Sequence, residues 1–285
     1  MGFGTYAVNT PQVINNALSV GYRHLDLAEN YNNLQHVNQA LSLLAFAPLT
    51  EAGWTRNRKR GWITMKIPVQ SINNINALLA EVGTDYFDLL LYHYPFSMFD
   101  SKAQLEQSWR RMTELPKAIV KRIGTSNFYA SHLTKLFDIC QEVNLEKPFA
   151  NEIQINPYVY SLEKDTLDLC FKNNIQLITY SPLGYFASHI ILEDTEMHSI
   201  AEEIGITTAQ LTLAWLLSKR ICVIPKSNNI LRQQENLASK DAIYHVLPFS
   251  DDMDKISEDK DPKFFLLDTA RKSKKDANRL VGLEW

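Results

Sequence analysis

Cysteine is scarce in this chain. Its 285 residues include three, Cys140, Cys170 and Cys222, far apart and odd in number. That excludes a disulfide framework and a CxxC metal or redox pair. Each is expected to fill space as a small buried apolar residue, and a reducing, cytoplasmic setting fits such usage. Long hydrophobic runs are missing as well, so no stretch suffices for a membrane span. The N-terminus lacks a charged segment followed by an apolar one, so no signal peptide is expected. Met1-Gly2 starts like a myristoylation site, but position 6 is Tyr6 rather than Ser or Thr. Neither charge sign dominates: 29 Lys and Arg against 32 Asp and Glu give a net charge of -3. No basic footprint for nucleic acid or a membrane surface results. Glycine-rich phosphate loops are absent too. Gly2-Phe3-Gly4-Thr5-Tyr6-Ala7 has no third glycine, so the dinucleotide fingerprint fails, and there is no Walker-type loop. No composition break marks a domain boundary. Residues 1–285 therefore read as a single domain with one sizeable core, with 248–285 as a C-terminal helix and tail packing on it.

What is present is alternation. Short apolar runs at Phe3–Tyr6, Tyr22–Leu27, Trp62–Ile67, Asp88–His93, Val120–Gly124, Ala150–Ile155, Gln176–Tyr180 and Cys222–Ile224 read as strands buried on both faces. Helix-like segments lie between them: Thr10–Val20 with Pro11 at N1, Ser71–Val82 with a serine cap, Ser101–Leu115, Ser131–Val143, Leu162–Asn173, Glu196–Ile204, Thr208–Leu217 and Ile230–Leu237. Thr207 or Thr208 is expected to cap the seventh. This β-then-α order predicts an α/β fold, an eight-stranded parallel (β/α)8 TIM barrel. The alternative is a doubly wound open sheet. The segment 47–61, with Arg56-Asn57-Arg58-Lys59-Arg60, precedes a strand and reads as a solvated loop at the barrel bottom, away from chemistry.

Polar groups then collect where the strands end, which is where barrel enzymes keep their chemistry. His93 closes the run Leu89-Leu90-Leu91-Tyr92, Asp26 ends the second strand with Tyr31 in the following loop, and Lys66 ends the third. Each has a bland reading: a satisfied structural histidine, a helix-capping aspartate, a snorkelling lysine. Together, on three neighbouring strands, they suit proton donation to a carbonyl. Lys66 would lower the pKa of Tyr31, Asp26 would hold Lys66 charged, and His93 would orient the substrate oxygen. A proton donor with no nucleophile beside it calls for an electron source such as a nicotinamide.

These residues and their surroundings resemble the aldo-keto reductase family. The matching segments are Gly21-Tyr22-Arg23-His24-Leu25-Asp26 with Tyr31, Thr64-Met65-Lys66, Asp85 to Pro95, Lys121 to Phe128, Asn151-Glu152-Ile153-Gln154, Tyr180-Ser181-Pro182-Leu183-Gly184 and Ile224-Pro225-Lys226-Ser227 with Arg232, Glu235 and Asn236. They run in family order from Gly2 to about Leu247. The resemblance implies a barrel that reduces an aldehyde or ketone with NADP(H), as a monomer acting on a small molecule. It implies catalytic roles for Asp26, Tyr31, Lys66 and His93. Ser126, Asn127 and Glu152 would meet the nicotinamide carboxamide, and Tyr180, otherwise a core aromatic, would stack on the ring. Ser181, Leu183 and Ser227 would line the pyrophosphate path. Lys226 and Arg232, otherwise solvated surface residues, would clamp the adenosine 2′-phosphate at a helix N-terminus. Glu235 and Asn236 would meet the adenine.

Three features depart from the family pattern. Glu152 stands where glutamine is usual, and a carboxylate cannot donate to the carboxamide oxygen. The first strand begins almost at Met1, so the usual N-terminal hairpin across the barrel bottom is not expected. Tyr6 and Tyr94 stand where tryptophan is common, leaving a pocket of Tyr6, Tyr94, Phe96 and Trp54, and short connections after Pro95 and Gly184 imply an open mouth. Two other functions compete. One is a cofactor-binding regulatory module on the same barrel with little turnover. The other is a metal-dependent hydrolase using His93 and Asp26, for which further ligands are lacking and Lys66 would repel the cation.

Overall fold

A computed structural model describes residues 1–44, 61–96 and 98–262. Trp54, residues 47–60 of the loop expected over 47–61, and the tail from residue 263 lie outside the described residues. The strands are β1 (Phe3–Gly4), β2 (His24–Ala28), β3 (Trp62–Ile67), β4 (Phe87–Tyr92), β5 (Val120–Ser126), β6 (Ala150–Gln154), β7 (Gln176–Tyr180) and β8 (Cys222–Val223). They pair in parallel in chain order. Gly2 N donates to Val223 O at 2.9 Å and Gly4 N to Pro225 O at 3.2 Å, which closes the ring between β8 and β1. The fold is a (β/α)8 barrel. No strand precedes β1 among the described residues.

The helices are α1 (Pro11–Val20), α2 (Leu34–Leu44), α3 (Ile75–Val82), α4 (Lys102–Thr113), α5 (Ala130–Glu142), α6 (Lys164–Lys172), α7 (Ser188–Leu192), α8 (Thr195–Ile204), α9 (Thr208–Ser218), α10 (Ile230–Ala238), α11 (Ile243–Val246) and α12 (Ser250–Asp259). Ser101 caps α4 by accepting from Gln104 N, and Thr207 caps α9 by accepting from Gln210 N. Ser71 does not cap a helix. It is buried inside a 3₁₀ stretch, Val69–Asn74, that leads into α3. Helix α2, not marked in the sequence reading, carries Leu34, Val37, Ala40 and Leu41 at helical spacing and turns them to the core. The first strand stops at Gly4 rather than Tyr6, since Ala7 adopts φ +54° and turns the chain toward α1.

Strand residues alternate between two cores. Leu25, Leu27, Ile63, Met65, Ile67, Leu90 and Tyr92 belong to the large core that includes the helices' apolar faces. Leu89, Leu91, Ala150, Ile178 and Ile224 form a separate cluster inside the ring, flanked by Trp62, Tyr180 and Cys222. The ring interior is tight. A Cβ on Gly124 would stand 2.4 Å from Ala150 O, so only glycine lets β5 approach β6 there. At the bottom, the Arg122 guanidinium lies 5.2 Å from the Trp62 ring centre and 4.8 Å from that of Phe149. Helix α12 buries Met253 and Ile256, and its Asp254 accepts from Trp215 Nε1 of α9 at 3.1 Å. Among the described residues, no helix is long and apolar enough to cross a membrane.

Candidate active site

Asp26 in the middle of β2, Lys66 near the end of β3 and His93 just after β4 meet at one mouth of the barrel, so Asp26 lies deeper than the strand-ending position expected for it. Register explains the placement: Ala28 pairs with Lys66, and Ile67 with Tyr92. One residue further, His93 N donates to Ile67 O at 2.9 Å. Tyr31 ends a 3₁₀ turn after β2. Two buried side chains hold that loop. Asn33 Nδ2 donates to Thr5 O at 2.7 Å and Val8 O at 3.0 Å, and Thr5 Oγ1 donates to Asp26 O at 2.7 Å. The loops after β1 and β2 are thereby tied together, and the Tyr6 and Tyr31 rings meet edge to face at 5.1 Å.

Lys66 is the centre of the site. Its side chain is 1% exposed, and its ammonium donates to Asp26 Oδ2. A second carboxylate meets it from β6: Glu152 Oε1, from a side chain with no exposure, is 2.9 Å from Lys66 Nζ. Burial alone would discharge the ammonium, but the Asp26 and Glu152 carboxylates outweigh it and raise the Lys66 pKa. Lys66 Nζ also sits 5.4 Å from the Tyr31 ring centre. The ammonium occupies the space between two carboxylates that a metal cation would need. Among the described residues, no group of three His, Cys, Asp or Glu is arranged to hold a metal.

Tyr31 departs from the sequence-based expectation in one respect. Lys66 does pull its pKa down, but burial dominates, aided by Asp26 and Glu152, and the phenol ends above its ordinary value. Tyr31 is therefore a phenol, not a phenolate, at neutral pH. His93 is pushed down to about 3 by burial and then by the Lys66 charge, so its imidazole is neutral. Its Nδ1 is buried without a hydrogen-bond partner among the described residues. Its ring faces Tyr31 at 5.9 Å and stacks on Tyr94 at 4.5 Å, which in turn stacks on Phe96 at 5.2 Å. Across the mouth, Tyr6 meets Tyr185 at 5.8 Å, and Tyr185 meets Phe186 at 5.2 Å. Tyr185 and Phe186 were not among the residues marked by sequence. They directly follow the Tyr180–Gly184 segment and are 48% and 68% exposed.

Groups suited to a nicotinamide nucleotide continue around the rim. Ser126 and Asn127 end β5, both buried. Asn127, at φ +62°, donates to His93 O at 2.8 Å and to Ser126 Oγ at 3.1 Å, and accepts from Tyr180 OH at 2.8 Å. It thus pins the His93 backbone and the Tyr180 ring in one network, with its amide donors already engaged. After β7, Ser181, Gly184 and Tyr185 all have positive φ, and Gly184 N donates to Ser181 O at 2.9 Å, so Leu183 rides on a tight turn. Beyond β8, Lys226 and Arg232 are exposed beside the start of α10, and Ser227 Oγ accepts from Asn229 N at 3.1 Å. The Asn229 side chain caps α10. Glu235 accepts from Thr207 Oγ1 at 2.6 Å, tying α10 to α9, and Asn236 is buried. The rim fits a nicotinamide nucleotide: Ser126, Tyr180 and the Glu152 carboxyl, whose Oε1 shares the Lys66 ammonium, surround the carboxyl mouth, and two cations stand at the outer end.

The sequence model described as the Aldo/keto reductase family matches residues 1–255. The chain is 29% identical over 265 residues to a D/L-glyceraldehyde reductase of Hypocrea jecorina, covering 83% of this chain and 78% of that one. It is 30% identical over 267 residues to a glycerol 2-dehydrogenase (NADP(+)) of the same organism, covering 83% and 82%. In fold it is similar to an aldose reductase of Giardia lamblia, with a TM-score of 0.75 at 24% identity over 91% of this chain and 92% of the other.

Proposed function

From the premise that the chain belongs to the aldo/keto reductase family, we propose that it reduces an aldehyde or ketone to an alcohol, with NADPH as hydride source and Tyr31 as proton donor. The observation that carries this reading is the convergence of Asp26, Tyr31, Lys66 and His93 at one barrel mouth. A bound nicotinamide supplies the hydride to the carbonyl carbon. The remaining work falls to side chains of this chain. A neutral His93 hydrogen-bonds the carbonyl oxygen and orients it without competing as an acid. Tyr31, held protonated by burial, gives its proton to that oxygen as negative charge develops there. The phenolate left behind is stabilised by Lys66, whose charge Asp26 maintains. Tyr31 then regains a proton from solvent. A regulatory module would not need this buried ion pair aimed at a phenol, so turnover is the favoured reading.

Lys226 and Arg232 are the candidate clamp for the adenosine 2′-phosphate, a point charge and a planar fork that both suit a dianion. The test is NADPH and NADH affinity, read by quenching of tryptophan fluorescence, for wild type, Lys226→Ala and Arg232→Ala. NADPH should bind more tightly to wild type, and the preference should shrink in both variants. Equal affinity of wild type for the two cofactors would remove the clamp. No turnover across a broad panel of aldehydes and dicarbonyls, with NADPH bound, would remove the reductase reading.

A further inference from the structure

The site contains one carboxylate more than the family's proton-donating set requires. β2 and β6 stand four places apart in a ring of eight, so Asp26 and Glu152 reach Lys66 from opposite sides of the barrel. Two carboxylates then face a single ammonium, and both side chains are sealed from solvent. Asp26 accepts a hydrogen bond from Lys66. Glu152 Oε1 lies 2.9 Å from the same Lys66 Nζ, and the Glu152 and Asp26 carboxyls are close enough to share a hydrogen bond when one of them is protonated. An ionised Glu152 would thus have only a shared cation to offset the loss of water. Charged groups in that position neutralise instead. The titratable groups around Glu152 are Asp26 from β2, Lys66 from β3, Tyr31 after β2, Tyr94 after β4, Tyr180 from β7 and Cys222 from β8. Only Lys66 among them favours its anion.

We propose that Glu152 is a positioning residue for the reduction: it serves as an uncharged carboxylic acid, and its ionisation draws the Lys66 ammonium away from Tyr31. The proposal rests on the reductase reading and deepens it. In the acid form, the site balances one carboxylate against one ammonium, and Lys66 is free to stabilise the Tyr31 phenolate. In the ionised form, a second anion competes for Lys66 and also opposes negative charge on Tyr31 directly. Burial, followed by the Asp26 carboxylate, pushes the Glu152 carboxyl well above the usual carboxylate range, with Lys66 opposing. Together with two carboxyls sharing one ammonium, this favours the acid form of Glu152. The proton leaves to solvent, so no other reactant is needed. An uncharged Glu152 also regains the donor that a carboxylate lacks, so it can replace a glutamine toward a carboxamide.

The first test needs neither cofactor nor substrate. Infrared difference spectra of wild type against Glu152→Gln should show a carboxylic-acid C=O band that wild type has near neutral pH and loses as the pH rises. Asp26→Asn is the second variant. With the other carboxylate gone, Glu152 becomes the sole counter-ion of Lys66, and its acid band should vanish at neutral pH. The second test is the pH profile of kcat with an aldehyde and NADPH. Wild type should fall about tenfold per pH unit above the infrared midpoint, as a single ionisation does, with little change in KM. Glu152→Gln should stay level across the same range. No acid band in wild type, or identical kcat profiles for wild type and Glu152→Gln, overturns the proposal while leaving the reductase reading intact. Wild type inactive at every pH overturns both, even if the infrared band titrates.

Discussion

The two ends of the barrel hold the same kinds of residue in opposite circumstances. At the bottom, His24 is pushed down to about 3 by burial, then by the N-terminal amine and Lys66. At the mouth, His93 is pushed to the same value. His24 Nε2 is 2.9 Å from Thr64 Oγ1, which also accepts from Trp62 Nε1 at 3.1 Å, so its polarity is used within the wall. His93 leaves Nδ1 without a partner among the described residues and faces Tyr31. The cations contrast likewise. Arg122 reaches solvent and rests on aromatic faces, while Lys66 is sealed and held by carboxylates. Equal shifts in pKa therefore do not mark equal roles. An unpartnered polar atom next to the proposed proton donor does.

The largest effect should come from removing the buried cation. Lys66→Met leaves the buried Asp26 carboxylate without its counter-ion and should cost about 3–5 kcal/mol of stability as well as turnover. Urea unfolding measures the first, and an unchanged midpoint would refute the central place given to Lys66. Tyr31→Phe should lower kcat about 10²–10⁴-fold with thermal stability retained. Loss of both together would make Tyr31 structural rather than catalytic.

The histidine pair sharpens the contrast. His93→Gln should lower kcat/KM roughly 10²-fold and leave unfolding nearly unchanged. His24→Ala should leave turnover intact and cost about 1–2 kcal/mol of stability through the buried Thr64 partner. The reverse pattern would exchange the roles of the two ends. The pH dependence of stability follows from the same residues. A depressed imidazole pKa means that the unfolded chain takes up protons first. Stability from His24 and His93 is then complete above the unfolded value of about 6.5 and declines as pH falls toward their folded values near 3. Denaturation midpoints between these limits should slope less in His24→Gln than in wild type. An identical slope would mean that His24 protonates as readily folded as unfolded. The smallest change is expected from Arg122→Met, about 0.5–1 kcal/mol at an exposed cation–aromatic contact, with activity unaffected.

Much of this was readable before any coordinates. The apolar runs fixed the eight strands and their order, because a strand buried on both faces leaves a pattern unlike its helical neighbours. Asp26, Lys66 and His93 could be grouped because they lie on or directly after consecutive strands, and consecutive strands in a βα repeat lie side by side. Boundaries were less legible. Ser71 looks like a cap, but the chain enters α3 through a 3₁₀ stretch whose Val69 and Ile72 are buried. The aromatic rim of Tyr185 and Phe186 was missed because nothing local distinguishes a pocket aromatic from a core one.

Glu152 shows where sequence stops. By position it is a strand-six residue, three strands from Lys66 and four from Asp26, and its charge type alone suggested weakened contact with a carboxamide. The sequence by itself determined the barrel, the family and the grouping of Asp26, Tyr31, Lys66 and His93, since all of these depend on neighbours along the chain or on adjacent strands. Ring closure, made by the bonds from Gly2 and Gly4 to the far side of β8, decided what meets across the interior. It turned β6 to face β2 and β3, and it placed a second carboxylate against the Lys66 ammonium. Contacts across a closed ring depend on curvature and shear rather than on sequence distance, which is why only the tertiary structure could supply them.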